Sequence, residues 1–75
     1  MKYSLDQLLG NECGKVIGFT AGAKNISRLL SFGLLPGCPV TVLQNREGFS
    51  LLVQARGMKI ALGRSEARCI EVIRS

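Results

Sequence analysis

Apolar side chains are densest between residues 28 and 43, RLLSFGLLPGCPVTVL, a stretch that also holds both prolines. Within KNISRLLSFG, residues 24–33, the residues Ile26, Leu29, Leu30 and Gly33 fall at i, i+3, i+4 and i+7, the stripe of a helix that packs on one side. Asn25 can cap its start. Gly33 can take the left-handed conformation that ends it, and Pro36 blocks resumption because it lacks an amide hydrogen and clashes with the preceding turn. The run therefore divides into a helix, a stop and, from Pro39, the entry to a strand. At about 100° per residue, Phe32 lies about 100° from the centre of the stripe, on the flank beside Arg28. It is the least committed apolar side chain of the helix.

Around this helix the period is two. Ser4 followed by Gln7 is a capping-box pattern and predicts a short N-terminal helical turn. CGKVIGFT, residues 13–20, reads as a first strand with glycines where the sheet must bend, Lys15, Ile17 and Phe19 on one face and Val16, Gly18 and Thr20 on the other. After Pro39, Val40 and Val42 alternate with Thr41 and Leu43, and Arg46-Glu47-Gly48 turns the chain. Phe49, Leu51, Val53 and Ala55 share one face of the next strand, Arg56-Gly57 makes a tight turn, and Met58, Ile60 and Leu62 share a face opposite Lys59 and Ala61. Ser65 can open a single helical or 3₁₀ turn before CIEVIRS, in which Ile70 and Val72 point one way. Five short strands, a helix between the first two and a turn before the last predict a mainly β fold. A small five-stranded Src-homology-3-like barrel, closed so as to remove unpaired edges, fits best. An oligonucleotide-binding barrel ranks second, because its helix usually lies between the third and fourth strands.

The 75 residues allow one domain, 1–75, with a thin core, since a chain of this size buries only about 60% of its unfolded surface. A hydrophobic content of 47% without a Pro- or Ser-rich tract excludes a disordered chain. No apolar run approaches the ~20 residues of a spanning helix, and Ser4, Asp6 and Gln7 interrupt any signal-peptide core, so a cytosolic protein is expected. Cys13, Cys38 and Cys69 are dispersed, with no histidine in the chain, and read as small hydrophobes of a reducing compartment. Binding a metal, or joining two copies of the chain, would require the three to converge or one of them to be exposed. The formal net charge is +5, and five of the ten basic residues, Arg56, Lys59, Arg64, Arg68 and Arg74, lie in the last 20 positions. That bias favours an acidic partner, or serves solubility alone.

Enzymatic chemistry has little to work with. Without histidine there is no ordinary triad base and no H-E-x-x-H zinc site, and Asp6, Glu12, Glu47, Glu66 and Glu71 are scattered over different elements. GNECGKV, residues 10–16, has the outline of a phosphate-binding loop, but its glycines are one residue too close and Val16 replaces the Mg²⁺-binding hydroxyl. Nucleic-acid binding suits the charge, yet Tyr3, Phe19, Phe32 and Phe49 are the only aromatics, and Phe19 and Phe49 fall at core positions. Neither a catalytic residue nor a cofactor is expected.

SLDQLLGNECGKVIGF at the start, RLLSFGLLPGCPVTVL in the middle and IALGRSEARCIEVI at the end resemble, in order and spacing, the FeoA family of the bacterial ferrous iron uptake system. The middle motif, with Arg28, Leu29, Gly33, Leu34, Pro36 and Gly37, is the specific part; Ala61, Leu62 and Ala67 repeat the family's closing pattern. Phe32 stands where the family more often shows Leu or Met. The resemblance implies a barrel that is not itself a transporter and that acts on FeoB, the membrane permease with a cytosolic G-protein domain. A related barrel ends iron-dependent repressors of the DtxR type, which leaves a regulatory or nucleic-acid-binding role as the alternative; self-association stays open. The expected partner surface comprises Lys24, Arg28, Phe32, Leu35 and Pro36. An exposed Phe beside an Arg suits an interface anchor, and equally the loop Leu34-Leu35-Pro36 can fold over Phe32 and complete the core.

Overall fold

The computed structural model describes residues 2–20 and 26–74. Six strands form one antiparallel sheet: β1 (Lys2–Ser4), β2 (Cys13–Phe19), β3 (Pro39–Gln44), β4 (Leu51–Ala55), β5 (Met58–Leu62) and β6 (Ile70–Arg74). Their order is β1-β6-β2-β3-β4-β5. A 3₁₀ turn (Leu5–Gln7) follows β1, α1 (Ile26–Ser31) joins β2 to β3, and α2 (Arg64–Arg68) joins β5 to β6. The sheet curls into a globule about 25 Å in each direction.

The strand count and the closure of the sheet differ from the sequence expectation. There is a sixth strand, β1, which pairs Lys2–Ser4 with Ile73–Glu71 of β6; three residues are too few to show an alternating pattern. Among the described residues the hydrogen-bonded ladder also stops at β1 and β5, so it does not close as a barrel. The expected N-terminal turn is present, with the Ser4 amide donating to Gln7 Oε1 at 2.9 Å.

The bend in β2 is a bulge. Val16 pairs with Val72 and Gly18 with Glu71, so Ile17 is the extra residue and the alternation inverts across it. Val16 is buried while Phe19, three residues on, also packs against the core, which strict alternation would have placed on the opposite face. Gly14 allows β2 to approach β6 closely: a Cβ there would sit 2.9 Å from the Ile73 carbonyl oxygen.

The stop of α1 matches the sequence reading in detail. Gly33 has φ +83°, its amide donates to the Leu30 carbonyl at 2.9 Å, and the Leu34 amide reaches back to the Leu29 carbonyl at 3.3 Å. This is the Schellman pair of bonds, and the apolar contact that accompanies it joins Leu29 and Leu34, both fully buried. Leu29 and Leu34 therefore define the buried line, and Leu30, expected in the core, is 40% exposed. The described helix begins at Ile26; Lys24 and the expected cap Asn25 lie outside the described residues.

Phe49, also expected in the core, is 60% exposed. The turn runs one residue further than its Arg-Glu-Gly sequence suggests: the Phe49 amide bonds the Arg46 carbonyl at 3.0 Å, and β4 starts only at Leu51. Its ring instead lies 5.0 Å below the Arg46 guanidinium. Met58, at the end of β5 beside the turn, is 48% exposed, while Ile60 and Leu62 are buried. α2 is capped by Gly63 rather than opened by Ser65, because the Gly63 amide donates to Glu66 Oε1 at 3.1 Å.

Candidate functional site

The cationic surface anticipated from composition is much reduced by internal pairing. Arg64 donates to the carbonyls of Arg46 (3.1 Å) and Phe49 (2.9 Å) and to Asn45 Oδ1 (2.8 Å). Asn45 in turn donates to the carbonyls of Asp6 (3.0 Å) and Leu8 (2.6 Å), so one guanidinium and one amide tie the β3–β4 loop to the N-terminal turn. Arg68 pairs with Asp6 at 3.8 Å. Arg74 pairs with Glu12 at 3.5 Å and lies 4.8 Å over the Tyr3 ring. Of the five C-terminal cations, Arg56 and Lys59 are exposed and make no ion pair or hydrogen bond with another described side chain.

Arg56 and Lys59 flank a groove between α1 and β5. It has a volume of about 340 Å³ and is lined by Arg28 and Phe32 from the helix side and by Met58, Lys59, Ile60 and Ala61 from the strand. The helix stop sets its wall. Phe32 is the last residue before the left-handed Gly33, and its ring is half-buried against the core with the Arg28 guanidinium 5.1 Å above it. The same guanidinium binds Glu66 Oε2, whose other carboxylate oxygen caps α2. Glu66 is therefore held between a helix start and a cation. Its carboxyl lies below the ordinary value of 4.5, chiefly through the Arg28 hydrogen bond, against the opposing effect of burial. The Arg28 pKa is raised by the same hydrogen bond.

Arg28 and Phe32 thus meet on one wall of the groove, Arg28 as a neutralised strut and Phe32 as half core, half surface. Leu35 (47% exposed) and Pro36 lie on the loop beyond the helix stop and do not line the groove; Lys24 lies outside the described residues. Met58, Lys59 and Ala61 were not anticipated. Their alternation was legible, but that β5 ends the sheet beside α1 is a property of topology.

Among the described residues no group of three or more Cys, Asp or Glu side chains is placed to hold a metal ion. Cys13 is exposed, Cys38 buried and Cys69 in between. No helix of the described residues is long and apolar enough to cross a membrane.

The sequence model of the FeoA domain matches residues 3–74. No curated protein sequence matches the chain significantly. Among solved structures, the chain superimposes on an iron uptake regulatory protein, FeoA, with a TM-score of 0.90 at 23% identity, covering 100% of this chain and 99% of the other. The FeoA protein from Chlorobium tepidum matches with a TM-score of 0.84 at 27% identity over 96% of this chain and 70% of that one. FeoA from Stenotrophomonas maltophilia, solved with zinc and described as a prokaryotic SH3 domain protein with a suggested role as a ferrous iron transport activating factor, gives 0.81 at 26% identity, covering 95% and 89%. The fold also recurs within a manganese-dependent transcriptional repressor, with a TM-score of 0.88 at 21% identity, where this chain spans 42% of the longer protein. Fold and groove together define a small SH3-like β module. With the family model covering all but the terminal residues, the chain belongs to the FeoA family of ferrous iron transport.

Proposed function

We propose that this chain is a cytosolic, non-enzymatic accessory of ferrous iron uptake that binds a FeoB-type permease at its cytosolic side through the groove between α1 and β5. The observation that carries the reading is the composition of that groove. Phe32 and the 48% exposed Met58 supply apolar surface, and the exposed Lys59 supplies positive charge beside it. Aromatic anchors ringed by polar groups carry a disproportionate share of binding energy in interfaces. Family membership supplies the permease as the partner to test first.

The test is co-purification of the permease with Phe32→Ala and Lys59→Glu variants shown by circular dichroism to be folded. Retention is expected to fall roughly tenfold or more for Phe32→Ala, which corresponds to about 1.4 kcal/mol. Undiminished binding by both variants overturns the reading. Arg28→Glu is a poor probe, because it would set a second carboxylate against Glu66 and unsettle the fold.

One observation favours the nucleic-acid alternative: Phe49 is exposed beneath Arg46, a stacking surface of the kind single strands use. Such binding would weaken steeply with salt. Absence of a labelled-oligonucleotide shift at low salt removes it.

A further inference from the structure

β5 ends the sheet, and its outer edge opens into the groove. The hairpin that leads into it fixes which backbone groups face outward. Arg56 and Gly57 have φ of 53° and 78°, both positive, the signature of a two-residue type I′ turn. The residues flanking such a turn, Ala55 and Met58, exchange hydrogen bonds, and bonded and non-bonded pairs then alternate along the ladder. Val53–Ile60 and Leu51–Leu62 are bonded pairs; Gln54–Lys59 and Leu52–Ala61 are not. The amides and carbonyls of Lys59 and Ala61 therefore point away from β4. Among the described residues no further strand pairs with that side.

An exposed edge is usually blocked by charge, by proline or by a covering element. Here α1 stands off and leaves the groove, with Phe32, Met58 and Ile60 as its apolar lining. Charge around it is lopsided. Lys59 is exposed on the edge itself, and Arg56 occupies the adjoining turn with its side chain packed over Gly33. Arg28 stands on the opposite wall, and Glu66 is the one carboxylate paired to this set among the described residues.

We propose that an extended, acidic segment of a partner protein docks here by strand addition, pairing its backbone with Lys59 and Ala61, with alternate apolar side chains against Phe32 and Met58 and acidic ones toward Lys59 and Arg56. Main-chain bonds supply affinity in this mode, and the side-chain alternation supplies selectivity. The proposal deepens the permease reading by naming the chemistry of the docked segment, and it rests on the same groove.

The probe is a short capped peptide alternating glutamate and valine, with its lysine–valine counterpart as control, added to the full isotopically labelled chain. The acidic peptide is expected to bind and to slow hydrogen exchange at the Lys59 and Ala61 amides roughly tenfold or more, and the basic one to do neither. Ala61→Pro removes an outward amide that β4 does not use, and Lys59→Glu inverts the charge without touching the backbone; the first is expected to abolish protection at the remaining residue 59 amide and the second at both positions. Failure of the acidic peptide to bind, binding without protection of these amides, or equal binding of the basic peptide overturns the proposal. So does protection that grows with protein concentration alone, which would assign the edge to a second copy of this chain. If the permease co-purifies and the peptide does not pair, strand addition falls and the permease reading stands. If the peptide pairs and the permease does not bind, the reverse holds.

Discussion

Arg28 shows how a residue that looks like a free cation in sequence is committed in three dimensions. Its guanidinium covers the Phe32 ring and is hydrogen-bonded to Glu66, 38 positions away, and so links the two helices. Glu66 completes the arrangement by capping α2 through Gly63. Because the carboxyl is held below its ordinary value of 4.5, its contribution to stability is fully present above that pH and is lost as pH falls through the folded value. Arg28 stays protonated throughout the accessible range and adds no pH dependence of its own. Replacing Glu66 by Gln is therefore expected to flatten the acid side of the stability profile. Urea unfolding of parent and variant between about pH 7 and pH 3 measures this, and identical slopes for the two would refute the assignment.

At the scale of elements, the end of α1 decides where the groove lies. A helix that continued past Phe32 would carry Leu34 away from the core; the left-handed Gly33 turns the chain so that Leu34 enters it. Gly33→Ala puts a Cβ into a conformation that costs an L-residue about 1–2 kcal/mol. It would also crowd the aliphatic part of Arg56, whose flexible side chain can swing aside. The variant is expected to lose about 1–2 kcal/mol in denaturant unfolding, and unchanged stability would contradict the Schellman description. This stop was legible because it is local chemistry: a glycine, a preceding apolar turn and a proline just beyond. The same holds for Val40, Val42, Val53, Ile60, Leu62, Ile70 and Val72, whose alternation marked the buried face of four strands. What escaped was set by pairing at long range. The bulge at Ile17 exists only against β6, β1 is strand only because β6 lies beside it, and Phe49 left the core because a turn ran one residue longer. The candidate site divided in the same way, with Arg28 and Phe32 read from the helix and Met58, Lys59 and Ala61 emerging only once β5 became an edge.

On the scale of the whole molecule, the net charge of +5 is a less informative figure than its distribution. Arg64, Arg68 and Arg74 fasten the N-terminal turn, the β3–β4 loop and β1 to the body of the sheet. Arg56 and Lys59, exposed and without a carboxylate partner among the described residues, stand beside the apolar groove, a placement that suits the acidic partner segment proposed above. A thin core of this kind has little room for a buried active site. The docking site proposed here lies on the surface, where topology rather than local sequence brings the contributing residues together. The measurement that bears most directly on this account is a titration of the isotopically labelled chain with the purified permease, following every backbone amide by NMR. Perturbations concentrated at Phe32 and across Met58 to Ala61, sparing the Arg64-bound loop from Asn45 to Phe49, are the predicted result. Perturbations centred on that loop, or none, would contradict it.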